Sequence, residues 1–310
     1  MIRRVCPVCG SDDSELWFAD VNRRERYPLR GEYVRCRRCG MRYLGHFDDP
    51  GPSAAAYERL YELDVAPGKP VPPATLLWRV ANGVVVRVSR LFDRSDALHH
   101  TDSGRGRGRR VLDVGCSDGA RLRLYRAGGW QVAGVDVNSR AVAVARRSEG
   151  DFRVGTVQDA GFAEARFDLV RLDNVLEHVE RPHELLVSVR RLLVPGGRIA
   201  IFVPNGAAWS LAWAKQYSVS SWIPFHVNLF TAGAMRQLLM DTGYDRIAVH
   251  HNTPLAWLWL TVKQLVARGR PVRAQLTLVE RAASILLGPL AWIANLAGRG
   301  EELVVFARRA

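Results

Sequence analysis

Lysine is nearly absent from this 310-residue chain: Lys69, Lys215 and Lys263 stand against 41 arginines, and the formal net charge is +13. Such an excess suggests an anionic partner, but codon bias produces the same arginine skew. Residues 1–110, with 20 basic and 14 acidic side chains, contain no block of like charge. Nucleic-acid binding is disfavoured on that footing. The chain also lacks a long apolar run. Its longest uncharged stretch, Ala282–Gly298, has 17 residues and includes Gly288 and Pro289, whereas a membrane span needs about 20. No apolar stretch follows the basic start "MIRRVC", so no secretory signal is read there, and the expected location is cytoplasmic, with the inner face of the membrane as an extension. Internal repeats are missing. So are G-x-G-x-x-G and any Tyr-x-x-x-Lys pair, which speaks against a dinucleotide-dependent dehydrogenase.

What is present begins with cysteine. Four of the five cysteines form two C-x-x-C pairs, "CPVCG" (Cys6, Cys9) and "CRRCG" (Cys36, Cys39), 26 residues apart. That is zinc-ribbon spacing. The trailing glycines, Gly10 and Gly40, let backbone N–H groups turn toward the thiolates, and four thiolates suit a tetrahedral Zn²⁺. Four protein ligands leave no open coordination site, so the expected role is structural. A redox C-x-x-C would need one pair in a βαβ setting, which is not found here.

The chain divides into five parts by pattern. Residues 1–45 form the ribbon. Residues 46–109 hold a helical stretch near Tyr57–Leu63, a proline-rich break "APGKPVPPA", a helix "TLLWRVANGVVVRVSRLF" and the linker-like run "SGRGRGRR". The second helix carries Leu76, Leu77, Val80, Val84 and Val88 as an apolar stripe beside Arg79, Arg87 and Arg90. It can cover a core or lie on a membrane surface. Residues 110–253 alternate strand and helix as a parallel sheet does. The strands are "RVLDVG", "QVAGVDV", "FRVGTV", "FDLVRLDN", "RIAIFVPN" and "RIAVHH". Helices start near Asp118, at Ser139 as N-cap, at Pro182, and at Thr231 as N-cap. Residues 254–299 read as a Leu- and Trp-rich helical insertion, a lid or an interfacial element, and 300–310 supply the last strand. The fold class is α/β: a Rossmann-like doubly wound sheet with an N-terminal zinc ribbon and a helical insertion before the last strand.

The stretch "VLDVGCSDGA" ends a buried strand in an acid and two close glycines, Gly115 and Gly119, an arrangement that brings main-chain N–H groups near a ligand. Together with "VAGVDVN", "FDLVRLDNVLEHVERP", "LLVPGGRIAIFVPN" and "HVNLFTAGAMRQLLMDTGY", it resembles the class I S-adenosylmethionine-dependent methyltransferases, in particular the ubiquinone-biosynthesis-like branch. The resemblance covers about half of the chain and leaves the insertion unaccounted for.

It implies that S-adenosylmethionine lies against Gly115, Cys116, Ser117 and Gly119, with Asp113 ordering the turn from beneath. Asp136 would accept from both ribose hydroxyls, with Val137 beside it. Thr156 and Val157 would hold the adenine through the main chain, where many relatives have an acid, and Asp173 and Asn174 would complete the site. Methyl transfer is an in-line displacement governed by positioning in a dry pocket. A hydroxyl acceptor needs a base, and His178 and His226 fall at the ligand end of the sheet. Each could equally serve the scaffold, and Glu177 fits a supporting role. Cys116 has no base beside it and is not read as a nucleophile. The implied partner is a small-molecule acceptor of lipid, sugar or polyketide type, with peripheral membrane contact through 70–92 or 254–299. Two other readings stay open: an RNA base methyltransferase with a recognition ribbon, and a non-catalytic zinc-ribbon interaction protein.

Overall fold

The computed structural model describes residues 2–21, 30–47 and 76–310, apart from positions 102, 105, 269, 271 and 274. The helix expected near Tyr57–Leu63 and the proline-rich break lie outside the described residues.

The main sheet has seven strands: β5 (Arg110–Val114), β6 (Gln131–Asp136), β7 (Asp151–Val154), β8 (Phe167–Asp173), β9 (Leu193–Pro204), β11 (Tyr244–Asn252) and β12 (Glu302–Arg309). Their order is β11-β12-β9-β8-β5-β6-β7. Neighbours from β9 to β7 are parallel, and only β12 runs against its two neighbours. The chain builds outward from β5 on one side, then restarts at β8 on the other, so the strand order reverses between β5 and β8. Open α/β sheets place ligands at the carboxyl ends of strands at such a switch point.

Alternation along the strands sends side chains to two faces. Leu112, Val114, Val170, Leu172, Ile199 and Ile201 meet α5 (Pro182–Leu192) and α7 (Ala232–Asp241) on one face. Val111, Val132, Leu169 and Phe202 meet Leu122 and Tyr125 of α3 (Ala120–Ala127) and Val142 of α4 (Ser139–Ala145) on the other. Three local expectations shift. The α4 cap is Asn138, whose side chain accepts from Ala141 N, and not Ser139, the first helical residue. Strand β7 ends at Val154, because Gly155 (φ 128°) turns the chain and Thr156 begins a hydrogen-bonded turn with Asp159. Strand β9 begins at Leu193, and "VPGG" bulges within it, the register jumping from Phe167↔Leu193 to Leu169↔Arg198. The described part of the glycine-arginine run is fastened to the turn after α3. Gly106 N and Gly108 N donate to Gly128 O and Gly129 O, and the Arg109 guanidinium lies 4.5 Å over the Trp130 ring.

The N-terminal unit comprises β1 (Ile2–Arg3), β2 (Ser14–Val21), β3 (Arg30–Cys36) and β4 (Arg42–Phe47), all antiparallel. A segment of the main domain, β10 (Asn228–Leu229), extends this small sheet by pairing with β4. Cys6, Cys36, Met41 and Tyr43 share one buried cluster with Leu176 and Phe230, so the ribbon is continuous with the core of the larger domain.

Before the sheet stand α1 (Leu76–Ser89) and α2 (Ser95–His99). Between β11 and β12 come α8 (Leu255–Val266), α9 (Leu278–Ser284), a 3-10 turn (Ile285–Leu287) and α10 (Gly288–Leu296). Among the described residues no helix is long and apolar enough to cross a membrane.

Candidate active site

A cavity of about 470 Å³ opens at the carboxyl ends of β5, β6 and β8, within the size range of small-molecule sites. Its wall includes Val114 and Gly115 at the end of β5, Asp136 and Val137 at the end of β6, Gly155–Gln158 after β7, and Asn174, Val175 and His178 after β8. Of the residues expected to hold a cofactor, Gly115, Asp136, Val137, Thr156, Val157 and Asn174 therefore share one wall.

The β5 turn is fixed from within. Gly115 and Gly119 have φ of 76° and 73°, a conformation that favours glycine. A Cβ on Gly115 would come within 2.6 Å of Val175 Cγ2, and one on Gly119 would crowd Ala145 and Phe152. The missing side chains thus make room for protein neighbours, and the loop amides are engaged within the fold, Gly115 N and Cys116 N both donating to Val135 O. Ser117 N donates to Asp136 Oδ2 and Asn138 N to Asp136 Oδ1, each at 2.8 Å, tying the first loop to the end of β6. Each carboxylate oxygen retains a second lone pair. Cys116 faces away, packed over Gly134, and burial with the nearby Asp113 and Asp136 charges pushes its thiol upward, so it is inert.

Asp113 and Asp173 stand behind the wall. Asp113 is buried, and burial pushes its carboxyl up to about 7 against the pull of Arg171, whose Nε is 3.9 Å away. Arg171, fully buried in β8, donates to His99 O, to Tyr125 Oη and to Asp173 Oδ2. His99 Nδ1 and Nε2 meet Asp173 Oδ2 at 3.3 Å and Glu302 Oε1 at 2.9 Å. Burial opposes its charge, but the two carboxylates overcome that and raise His99 to about 9. Asp173 is held low by the same contacts, against the opposing effect of burial. Asn174, in a left-handed conformation, donates to Asp173 Oδ1 and presents itself to the cavity. Arg171 was not singled out from the sequence, although a charge inside the apolar strand "FDLVRLD" is a signal that could have found it. His99 and Glu302 carried none.

His178 ends a 3-10 turn (Leu176–His178) and reaches the cavity wall. Its Nδ1 donates to Phe225 O at 2.9 Å, which fixes Nε2 as the acceptor nitrogen. Burial lowers His178 to about 4, so it is neutral at pH 7. His226 lies behind it, ring centroids 4.9 Å apart, with Nδ1 donating to Ser220 O. Glu177 is fully buried, both its oxygens lack a hydrogen-bond partner, and burial raises its carboxyl well above the usual range. The ribbon reaches this corner: Tyr33 Oη donates to His226 O at 2.8 Å, and Arg4 Nη1 to Val227 O at 3.1 Å.

The four ribbon thiols converge, with Cys6–Cys39 and Cys9–Cys36 Sγ pairs each 3.5 Å apart and all four within 4.8 Å of one another.

The methyltransferase-domain family matches residues 87–249, just over half of the chain. The chain belongs to that family. This methyltransferase is 30% identical over 190 residues to the ubiquinone biosynthesis O-methyltransferase of Cereibacter sphaeroides, covering 53% of this chain and 74% of the relative. It is 28% identical to a probable S-adenosylmethionine-dependent methyltransferase of Mycolicibacterium smegmatis, over 54% of this chain and 65% of that protein. The crystal structure of the [4+2]-cyclase SpnF shares its fold, with a TM-score of 0.51 at 17% identity, over 84% of this chain and 97% of that one. The chain is thus an S-adenosylmethionine-dependent methyltransferase built on the expected α/β sheet.

Proposed function

We propose that this methyltransferase modifies a hydroxyl of a small-molecule acceptor of lipid, sugar or polyketide type, with His178 at the reacting centre. S-adenosylmethionine supplies a sulfonium methyl group. The cavity fits it by chemistry as well as size: a wall free of any side chain at Gly115 for its polar end, a carboxylate at Asp136 for a diol, and Val137 and Val157 for an aromatic ring. Thr156 has its hydroxyl committed to Asp159, so adenine is read by backbone groups of Thr156 and Val157, with Gln158 beside them. Asp113, Cys116, Gly119 and Asp173 hold the wall from behind.

The observation that carries the acceptor reading is His178: neutral, with its tautomer set by Phe225 O, and on the same wall as the donor residues. As a new C–O bond forms and the S–CH₃ bond breaks, the acceptor oxygen loses its proton, and Nε2 of His178 takes it. His226 and Glu177 orient that imidazole. The four-cysteine cluster binds a structural Zn²⁺, since tetrahedral bonds of about 2.3 Å place thiolates about 3.8 Å apart, close to the observed 3.5 Å.

The test is incubation of the purified protein with methyl-labelled donor and cell extract, wild type against His178→Asn. Label in a small hydroxyl-bearing product, lost with the variant, supports the reading. Label in RNA, or equal labelling by both proteins, overturns it.

A further inference from the structure

The +13 charge, diffuse along the sequence, is gathered by folding. Residues 76–94 and 254–299 together hold ten basic and two acidic side chains, a net +8. These segments are joined in space. Asp93 Oδ2 accepts from Leu255 N at the start of α8, Arg94 N donates to Asn252 Oδ1, and the Phe92 ring fills the place of a side chain on Gly288. They form one helical layer.

That layer buries Leu255 and Leu258 but leaves several other large apolar side chains outside. Val80, Val84 and Val88 of α1, spaced by four residues and so stacked in one row, are exposed, Val84 at 56%. From the insertion, Leu286 is 81% and Trp292 54% exposed, with Ile293 and Leu296 beside them. Arg79, Arg87, Arg270, Arg273 and Arg281 are exposed on the same segments. Isolated apolar residues are ordinary on protein surfaces, but a concentration of them among arginines is what an interfacial element presents to an anionic bilayer.

The position of the layer matters for the chemistry. It follows the carboxyl end of β11, where Asn252, Glu302 and Pro204 stand in register, and this is the end at which the cavity opens. Asn252 Nδ2 donates to Ser95 Oγ and to Glu302 Oε2, and Glu302 holds His99 against Asp173.

We propose that α1 and α8–α10 form a monotopic membrane surface whose occupant is an anionic phospholipid bilayer. The acceptor is then drawn from that bilayer, a step that rests on the methyl-transfer reading; the surface itself does not.

The test is flotation of the full chain with phosphatidylcholine vesicles with and without 30 mol % phosphatidylglycerol, that is, roughly one lipid in three anionic. No donor or acceptor is added, so the outcome is independent of the reaction assigned above. Recovery should be at least about tenfold higher with anionic vesicles and should fall as salt is raised. Leu286→Glu with Trp292→Glu should abolish it, and Arg79→Gln with Arg87→Gln should weaken it. All four positions are exposed, and unchanged S-adenosylmethionine binding confirms that each variant is folded. Failure of the wild type to float, equal flotation of the Leu286→Glu/Trp292→Glu variant, or a wild-type dimer that this variant converts to monomer would overturn the proposal; the last would assign the face to a second copy.

Discussion

Asp136 serves two purposes with one carboxylate: it closes the β5 turn through Ser117 N and Asn138 N, and it faces the cavity. Asp136→Asn keeps the size but removes the charge and one acceptor, and turns an amide NH₂ toward one of the two backbone N–H donors. Hydrogen bonds to charged groups contribute about 1.5–3 kcal/mol, so calorimetry should show donor affinity at least about tenfold weaker. His178→Asn is expected to leave donor affinity unchanged and to lower kcat by about 10²–10⁴-fold, the range of general-base catalysis. His99 and His178 also act on stability, in opposite directions. His178 is depressed to about 4, so its contribution is present above the ordinary 6.5 and is lost as pH falls toward 4. His99 is raised to about 9, so its contribution is complete below 6.5 and is lost as pH rises through 9. Melting curves should accordingly show His99→Gln losing less stability than wild type between pH 7 and 9.5, in the window set by the raised value. Buried Asp113 and Glu301, both raised to about 7, add their own pH dependence, so the comparison with wild type is the informative quantity. The position of Asp136 and His178 at the carboxyl end of the sheet was legible, because Asp136 closes a strand and His178 follows one, each in a motif of fixed spacing. His99 was not, since its partners Asp173 and Glu302 lie 74 and 203 residues away.

Among the elements, the parallel strands were readable from short apolar runs bounded by glycine and proline. The errors fell at ends, where one hydrogen bond decides: Asn138 displaced Ser139 as the cap because its side chain reaches Ala141 N. Asn138→Ala should cost about 1 kcal/mol, measured by urea unfolding. The pairing of β4 with β10 had no sequence signal at all, because β10 is two residues long and far from β4 along the chain. Through it the ribbon supports the backbone that carries His226 and Phe225. Cys36→Ser, or chelation of the Zn²⁺ proposed for the thiol cluster, is therefore expected to speed amide exchange across 225–230. The cofactor loop at 115–119 should stay protected, and exchange mass spectrometry reads both regions. No change at 225–230 would mean that the thiol cluster is energetically separate from the site.

At the scale of the whole molecule, three blocks converge on one end of a sheet. The switch point between β5 and β8 makes the cavity, the ribbon backs the His178–His226 corner, and the helical layer of α1 and α8–α10 flanks the same edge. The α/β sheet was legible because its periodicity is local. The convergence was not, because residues 76–94 and 254–299 acquire a shared surface only once β11 and β12 bring Asn252 to Asp93 and Arg94. The assignment of Asp136 and the neighbouring wall depends most directly on where the methyl donor binds. Titration calorimetry of S-adenosylmethionine into wild type, Asp136→Asn and His178→Asn decides it. One-to-one binding to wild type and His178→Asn with equal affinity, and binding at least about tenfold weaker to Asp136→Asn, is the predicted pattern. No heat with wild type, or undiminished affinity in Asp136→Asn, would contradict it.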